Sequence, residues 1–592
     1  MLFAVAAGLA DEAAKVPEVG YSVLAALLLF IAASVWLGAL AQKAMAKKDF
    51  MQGFFLGGRG LGAWTLALTA TVQSGGTFMG FPSMVYSFGW IVAVWIGSYM
   101  IVPLTGFAVV GKRLAQLSRQ TNAVTVPDLL RARFGDSRVG LLASLLIMTF
   151  LSFTMFAQFK AGATIMKHAW PGSKVAALSE DYGTPTETDS PSAPATPAVK
   201  PWLPESRGYY VGLIVFSITV VGYTLIGGFM ASVWTDLFQS VMMVIGVMLL
   251  VCLAVPMAGG LEKASKNAIA VTSSDIAFGP GYSADQSPEK KREFLPPGLA
   301  LSMFFVWVFA GFASPASMVR VMAAQNTEVM RKSIFLLSCY NCLIYIPLIM
   351  TCIAARTLLP NLDKPDEVIP LLSLTVTKNF PFESGQFFSG LILAAPFGAI
   401  MASVSCFVLV IASGLVEDIY AKYINRNATE AQLRRATTVS MVAVGLIAVL
   451  ANLNPPKYLQ ALVVLSGSAG AATFIAPVMM ACYWRRATAT GALAGMSGGF
   501  LVYFGIYSCG WAQNWATENS TKALALQILG WLGKDPMVGP VGLFRPYYIL
   551  GVDPIIWGLL ASVIGGIGGS LLSRPPAPEL VKRFFDVRPV TT

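Results

Sequence analysis

Repeated apolar runs constrain this chain more than any other feature of its sequence. A helix that crosses a lipid bilayer needs about 20 apolar residues, because its backbone polar groups must be satisfied within the segment. About 13 runs of this length follow one another, and we number them spans 0 to 12. Their extents are 21–43, 63–87, 89–111, 139–168, 209–227, 233–257, 297–321, 333–358, 386–412, 436–453, 459–483, 489–509 and 550–573. We therefore predict an all-α integral membrane protein.

The composition is typical of a membrane protein. Of the 592 residues, 56% are hydrophobic and only 12% are charged, whereas soluble domains carry about 25% charged residues. The sequence lacks the regular alternation over about ten residues that is typical of a membrane β-barrel. The net charge of +11 comes from basic residues at the ends of apolar runs. These charges fit membrane topology, so the expected partner is a lipid bilayer and not a nucleic acid.

Lysine and arginine residues are concentrated in alternate short loops. Lys43, Lys47, Lys48 and Arg59 lie between spans 0 and 1, and other basic residues follow spans 2, 6, 8 and 10. Such loops face the cytoplasm, which places the N-terminus outside and the C-terminus inside. We call the cytoplasmic ends of the helices inner and the opposite ends outer. Residues 171–206 are rich in Pro, Ser and Thr, which predicts a flexible outer loop.

Two of the apolar runs are interrupted in their middle. Span 1 contains "TATVQSGGTFMGFPS" at 69–83, and span 6 contains "WVFAGFASPASMVR" at 307–320. Glycine costs about 1 kcal/mol in a helix and proline removes a backbone donor, so each break needs a reason. Paired breaks in corresponding halves indicate a transporter built as an inverted repeat, with its binding site at the midplane. The alternative is a pair of ordinary kinks, since Gly and Pro are common in membrane helices.

Further segments carry a resemblance to a known family. In chain order they are "FFLGGRGLGAW", "FMGFP", "NAVTVPDLLRARFGDSR", "GGFMASVWTDLFQS", "SPASMVRVMAAQ", "AIMASVSCFVLVIASGLVEDIY" and "YWRRATATGALAGM". They resemble, in the same order, the signatures of the sodium/solute symporter family, which includes proline, pantothenate and glucose symporters. Around "TATVQSGGTFMGFP" the resemblance leans towards the pantothenate and carboxylate branch.

The resemblance implies a five-plus-five inverted-repeat fold of the LeuT type with broken helices in spans 1 and 6. The implied units are an outer N-terminus with span 0 (1–50), a first repeat (51–258), a second repeat (259–485), and spans 11 and 12 with a short cytoplasmic tail (486–592). It also implies import of a small polar solute with sodium by alternating access, across a bacterial cell membrane.

For the sodium site, the resemblance implies ligands on spans 1 and 8. The ligands from span 1 are the backbone carbonyls of Ala70 and Gln73. Those from span 8 are the carbonyl of Ala399 and the hydroxyl of Ser403. Ala402 departs from the family, which has Ser or Thr there, and a methyl group cannot coordinate a hard cation that prefers oxygen. Either a water molecule replaces this hydroxyl or the site is weak.

A second sodium site of some family members maps onto Asp236 and Ser405, with Cys406 where the family has a hydroxyl. Asp236 lies near the inner end of span 5, and two interpretations are open. Carboxylates inside membrane spans are costly and usually functional, whereas a carboxylate at a helix start caps orphan N–H groups. Arg320 matches a family arginine, and because basic residues follow it, we expect it at the inner end of span 6.

Lys160 in span 3 is the main clue to the solute. It lies about 20 residues past Arg138, or about 30 Å along the helix, in the outer half of the membrane. A buried ammonium group needs an anion, so Lys160 either binds a solute carboxylate or extends to the outer headgroups. His168, the single histidine, lies at the outer end of this span and is interpreted as an interfacial residue. The other candidate solute ligands are the polar side chains nearest the two breaks: Gln73, Ser74, Thr77 and Ser314.

Three other classes of function compete with sodium symport. An integral-membrane enzyme is disfavoured, because the chain has one histidine and therefore no HExxH motif. A transporter-like sensor would need a signalling partner. A proton-coupled or uncoupled carrier of the same fold is the nearer rival, because Ala402 lacks a hydroxyl and Lys160 adds a charge. Uptake that is independent of sodium would identify it.

Overall fold

The computed structural model describes residues 19–45, 55, 61–70, 74–90, 92, 97–171, 206–272, 297–360, 362, 364–378, 380–455, 459–518 and 549–586. Within these ranges, 11 helical segments are long and apolar enough to cross a membrane. The prediction of an all-α membrane protein is confirmed. The predicted flexible loop at 171–206 lies almost entirely outside the described residues.

The helices follow the predicted spans in order. The first half contains Tyr21–Met45 (span 0), Ala63–Ala70 and Phe81–Phe88 (span 1), Ser98–Ile101, Pro103–Gly111 and Lys112–Thr121 (span 2), Val126–Phe134, Ser137–Ala169 (span 3), Arg207–Met257 (spans 4 and 5) and Leu261–Thr272. The second half contains Pro297–Ala313 and Pro315–Met322 (span 6), Thr327–Leu358 (span 7), Pro365–Glu367, Val368–Val376, Phe382–Ser413 and Gly414–Ile424 (span 8), Glu430–Ala451 (span 9), Leu459–Tyr483 (span 10), Ala489–Glu518 (span 11), Pro554–Leu572 (span 12) and Pro578–Phe585.

Both predicted breaks are present. The first helix of span 6 ends at Ala313, Ser314 is extended (φ −64°, ψ 117°), and the second helix begins at Pro315. Proline is suited to this position, because its fixed φ fits a first helical turn that needs no N–H donor. In span 1, the helix Ala63–Ala70 and the π-helix Gly76–Gly80 are separated at Ser74, which is not helical. Neither half of span 1 is long enough to cross a membrane, which is one reason that the predicted number of spans, about 13, is not reached.

The other reason is that spans 4 and 5 form one helical segment, Arg207–Met257, with a reversal at Gly228. A Cβ added at Gly212, near the first end of this segment, would lie 2.8 Å from the Cβ of Met166, at the outer end of span 3. Beyond the second end, Ser265 accepts a hydrogen bond of 3.1 Å from Trp90, just past the outer end of span 1. Both ends therefore lie on the outer side. Gly228 makes the reversal with φ 58° and ψ −148°, a conformation that only glycine adopts readily.

The short C-terminal helix, Pro578–Phe585, is bound to the inner side of the bundle by two arginines. Arg113 donates hydrogen bonds to the carbonyl oxygens of Cys482 (3.2 Å) and Phe584 (2.6 Å). Arg133 is fully buried and donates to the carbonyl oxygen of Trp484 at 3.0 Å, with its guanidinium 5.7 Å from the ring centre of Phe584. The C-terminal helix therefore bridges the loop between spans 2 and 3 and the inner end of span 10.

Candidate sodium and solute site

Local hydrogen bonds stabilise the backbone at the break of span 1. The N–H of Thr77 donates to the carbonyl oxygen of Ser74 at 2.9 Å, and the N–H of Gly76 donates to the Ser74 hydroxyl at 3.1 Å. The Thr77 hydroxyl lies 3.2 Å from the Tyr345 hydroxyl of span 7. Ser74 and Thr77, two of the predicted solute ligands, are therefore at the break and already hydrogen-bonded within the protein. Ser314, at the other break, makes no capping hydrogen bond to the helix that follows it.

Aromatic side chains from four spans surround the outer side of this break. The ring of Tyr345 lies 5.2 Å from that of Tyr99 in span 2 and 5.8 Å from that of Phe81 in span 1. Tyr99 in turn lies 6.0 Å from Trp307 in span 6. Aromatic pairs at these distances stabilise one another, and the Tyr hydroxyls and the Trp N–H give this aromatic surface polar groups. Spans 1, 2, 6 and 7 are therefore connected around the break.

Spans 3 and 8 pack against the break from the opposite side. The N–H of Gly75 donates to Oε1 of Gln158 in span 3 at 2.6 Å. A Cβ added at Gly75 would lie 2.8 Å from the Cβ of Ala161 and 3.3 Å from Ile400 in span 8. This close approach explains why residue 75 is a glycine, because real Cβ atoms essentially never come within 3.0 Å of another heavy atom.

Arg320 joins span 6 to spans 1 and 5. Its Nη1 donates to the carbonyl oxygen of Thr69 at 2.5 Å, and its Nη2 donates to Oδ2 of Asp236 at 2.5 Å. The side chains of Arg320 and Asp236 are each only 2% exposed. Arg320 lies in the last turn of Pro315–Met322, as expected for the inner end of span 6, and its planar guanidinium satisfies two buried acceptors at once. The capping interpretation of Asp236 is wrong, since Asp236 lies inside a continuous helix beyond Gly228.

The residues proposed for a second sodium site are connected through Ser232. The Ser232 hydroxyl lies 2.9 Å from that of Ser405 and donates to Oδ2 of Asp236 at 3.3 Å. Among the described residues, Oδ1 of Asp236 has no hydrogen-bond partner. Arg320 therefore supplies positive charge at Oδ2.

The two predicted ligands of the first sodium site on span 8 lie in the core. Ala399 and Ser403 of span 8 are fully buried, and the Ser403 hydroxyl donates to the Ala399 carbonyl oxygen at 3.0 Å. Ala70 ends the first helix of span 1. The Leu68 carbonyl, two residues before it, accepts a hydrogen bond of 2.8 Å from Ser240. Gln73 lies outside the described residues. Hydroxyl and carbonyl oxygens are the donors that a hard cation prefers, so the described part of this set fits sodium.

Two ion-paired groups hold a turn between spans 7 and 8 against the outer part of span 3. Lys160 Nζ lies 3.2 Å from Oδ2 of Asp366, and Lys167 Nζ lies 3.0 Å from Oε1 of Glu367. His168 Nε2 lies 3.0 Å from Oε2 of Glu367. Lys160 therefore contacts a carboxylate of the protein instead of reaching the headgroups. The interfacial interpretation of His168 is wrong, because this residue is only 2% exposed and faces Glu367.

The Glu367 carboxylate titrates far below the usual range. Burial alone would raise its pKa, but the hydrogen bonds and electrostatic interactions with His168 and Lys167 outweigh burial and lower the pKa from 4.5 to about 2. A folded-state pKa below the unfolded value stabilises the protein at higher pH. This stabilisation is complete above about pH 4.5 and is lost as the pH falls towards about pH 2.

We therefore expect Glu367→Gln to destabilise the protein by about 3 kcal/mol at neutral pH, the free energy that corresponds to this difference in pKa. The deficit should shrink as the pH falls below about 4.5, because the carboxylate of the unfolded wild-type chain then binds a proton while the folded one stays ionised until about pH 2. Thermal unfolding of the detergent-purified protein across this pH range measures it. Glu262→Gln is the control, since Glu262 pairs with Lys266 in an exposed position. Equal stability of Glu367→Gln and wild type at neutral pH contradicts the account.

Two small cavities lie beside the inner halves of spans 6 and 8, each with room for about one water molecule. Both are lined by Val319, Val410 and Ser413. One also reaches Arg320, and the other reaches Asp418 near the inner end of span 8. Polar groups therefore follow a narrow path from the Arg320–Asp236 pair towards the inner side.

Several residues of the site were not predicted from the sequence. Gln158 is a polar residue inside the apolar span 3, and that pattern was the available signal. The aromatic group of Tyr99, Trp307 and Tyr345 carries no such signal, because aromatic residues occur throughout the spans. Their common position becomes visible only when spans 2, 6 and 7 are packed together.

A helical membrane protein with two facing broken helices belongs to the class of inverted-repeat secondary transporters. The chain is a member of the sodium:solute symporter family, whose model matches residues 54–178 and 206–499. It is 27% identical to the sodium/pantothenate symporter of Escherichia coli (strain K12), over 81% of this chain and 89% of that protein. It is 24% identical to the sodium/proline symporter of the same strain, over 95% of both chains.

The fold is also found in a solved structure. The substrate-bound, outward-open state of a Na⁺-coupled sialic acid symporter matches with a TM-score of 0.64 and 17% sequence identity. The match covers 94% of this chain and 99% of that one. At this identity the likeness shows a shared fold, and it supports the prediction of a LeuT-type architecture.

Proposed function

We propose that this protein is a sodium-coupled symporter that imports a small organic solute bearing a carboxylate. The observation that carries the proposal is the contact between the two broken spans, in which Arg320 of span 6 binds the Thr69 carbonyl at the end of the first helix of span 1. Membership of the sodium:solute symporter family supports the coupling ion. The pantothenate and proline symporters among its relatives support a carboxylate solute.

In the proposed mechanism, sodium and solute bind beside each other at the break of span 1. Sodium is coordinated by the carbonyls of Ala70, Gln73 and Ala399 and by the Ser403 hydroxyl. Arg320 and Ser240 hold the carbonyls that precede Ala70, which keeps the end of this helix in place. Sodium is thereby cargo that also orders the break, and its arrival prepares the adjoining solute site.

The solute contacts proposed at the breaks are Gln73, Ser74, Thr77 and Ser314. Spans 1, 2, 6 and 7 carry these groups and are linked by the aromatic contacts of Tyr99 and Tyr345. We propose that these four spans rock as one unit against the others, opening the site to each side in turn. The membrane is a bacterial cell membrane, with the N-terminus outside and the C-terminus in the cytoplasm.

Lys160 is proposed to attract the solute carboxylate at the outer entrance. In the present conformation its partner is Asp366, on the turn that covers this side. When the turn moves outward, Asp366 leaves Lys160, and the incoming carboxylate takes its place. Closure returns Asp366 to Lys160 and releases the solute towards the break.

Lys160→Met should therefore impair uptake of a carboxylate solute more than Asp366→Asn does. Both variants remove the ion pair, but only the first removes the cation that attracts the solute. We expect the KM of Lys160→Met to rise about tenfold, which corresponds to about 1.4 kcal/mol, and that of Asp366→Asn to change less. Radiolabelled pantothenate or proline uptake measures this difference. Identical defects in the two variants would show that Lys160 only holds the turn, and normal uptake by Lys160→Met would exclude both roles.

The proposed function is tested by thermal unfolding of the purified protein in sodium or potassium, with pantothenate, proline, sialic acid and glucose added separately. A ligand at about 100 times its dissociation constant stabilises the folded state by about 2.7 kcal/mol. A shift that needs both sodium and one carboxylate is the expected result. A solute shift that is the same in potassium would favour the second candidate, a proton-coupled or uncoupled carrier, for which the absent hydroxyl at Ala402 is the specific observation.

A further inference from the structure

Gln158 contacts the break of span 1 from the middle of span 3. It is fully buried, and its Oε1 accepts the hydrogen bond from the N–H of Gly75 at 2.6 Å. The space at Gly75 is too small for any side chain, because Ala161 lies directly opposite. The amide of Gln158 is therefore held directly against the start of the helix that follows the break.

The other end of this amide lacks a partner. Among the described residues, Nε2 of Gln158 has no hydrogen-bond acceptor, although it is buried. The orientation of the amide is fixed by Gly75, because a backbone N–H needs an acceptor and would oppose the NH₂ group if the amide were turned over. The unsatisfied group is therefore a donor, and leaving such a donor buried is unfavourable.

Nearby polar groups at the break already have partners of their own. The Ser74 hydroxyl accepts from Gly76, and the Thr77 hydroxyl is paired with Tyr345. The other side chains close to Gly75 are the apolar Ala161 of span 3 and Ile400 of span 8. An acceptor supplied by a bound molecule would satisfy Nε2 without disturbing these bonds.

We propose that Gln158 is a solute-binding residue: Nε2 donates a hydrogen bond to an acceptor oxygen of the transported solute, while Oε1 stays on Gly75. This inference rests on the proposed function and specifies the chemistry of its site. The solute presents a carboxylate or carbonyl oxygen to span 3, and an ammonium group in that position is rejected. Gln158 also links solute binding to the position of the broken helix, since Oε1 binds Gly75 while Nε2 of the same amide binds the solute.

Gln158→Glu tests the proposal with the smallest change of shape. The carboxylate keeps an acceptor for Gly75 but replaces the donor with a second acceptor, which repels the solute oxygen. In proteoliposomes with an inward sodium gradient, we expect the KM for radiolabelled pantothenate or proline to rise at least about tenfold. The sodium concentration for half-maximal uptake should change much less. Gln120→Glu is the matched control, because Gln120 is an exposed glutamine at the inner end of span 2.

The pH dependence separates solute binding from a structural role. Protonation gives the introduced carboxyl group an O–H donor, so lowering the outside pH from about 7.5 to about 5.5 should improve the KM of Gln158→Glu relative to wild type. A structural role that needs only the bond to Gly75 predicts wild-type KM at both pH values. That result would overturn the inference.

Two further outcomes are distinguishable. If wild type takes up neither pantothenate nor proline in a sodium-dependent manner, the proposed function fails and the inference fails with it. If Gln158→Glu does not fold, Gln158→Asn replaces it, since this amide is one methylene too short to reach Gly75 and the solute together. A several-fold higher KM in Gln158→Asn with an unchanged sodium concentration for half-maximal uptake supports the inference, and a wild-type KM, or an equal change in both values, overturns it.

Discussion

Arg320→Met is expected to lower the stability of the protein severely and to abolish sodium-driven uptake. The substitution leaves the Asp236 carboxylate buried without its counter-ion and frees the Thr69 carbonyl. Breaking a buried ion pair by removing one partner costs about 3–5 kcal/mol. Uptake should be lost as well, because the end of the first helix of span 1 is no longer held beside the sodium ligands.

The double variant Arg320→Met with Asp236→Asn separates these two effects. It removes the uncompensated charge, so most of the lost stability should return. Uptake should stay low, since no guanidinium binds Thr69. Thermal unfolding and sodium-driven uptake are measured on wild type, both single variants and the double variant. Wild-type stability in Arg320→Met, or full uptake in the double variant, contradicts this role of the ion pair.

Ser403→Ala should have the largest effect on sodium dependence. The Ser403 hydroxyl is the one side-chain ligand assigned to the first sodium site, and the residue is fully buried. Losing a polar contact to a charged group costs about 1.5–3 kcal/mol. The sodium concentration for half-maximal uptake is therefore expected to rise at least about tenfold.

Ala402→Ser should act in the opposite direction. It restores the hydroxyl that the family has at this position and should lower the sodium concentration for half-maximal uptake. Ser389→Ala is the control on the same span, because Ser389 lies about 20 Å from Ser403 along the helix and its hydroxyl donates to the Ser373 carbonyl oxygen. If Ser403→Ala and Ser389→Ala have the same sodium dependence as wild type, sodium binds elsewhere.

Much of the architecture could be predicted from the sequence. The length of the apolar runs located the spans, and Gly and Pro at 75–82 and 311–315 located both breaks. Each of these features is local, so it can be read from neighbouring residues. The reversal at Gly228 could not be distinguished from an ordinary short loop, because its direction depends on a single backbone conformation.

The partners of the charged residues could not be predicted in the same way. Asp236 and Arg320 are far apart in sequence, and only the packing of spans 5 and 6 brings them within 2.5 Å. Lys160 was recognised as needing an anion, but the turn that carries Asp366 follows span 7. A buried charge in a sequence therefore indicates that a partner exists, while the identity of the partner follows from tertiary structure.

The central claim is that sodium drives uptake of a carboxylate solute through the break of span 1. The most direct test is uptake of radiolabelled pantothenate and proline into proteoliposomes, driven by an inward gradient of sodium or of potassium. The account predicts accumulation of at least one of these solutes above its outside concentration with sodium and none with potassium. Accumulation that is equal in both salts, or that follows a proton gradient alone, would contradict it.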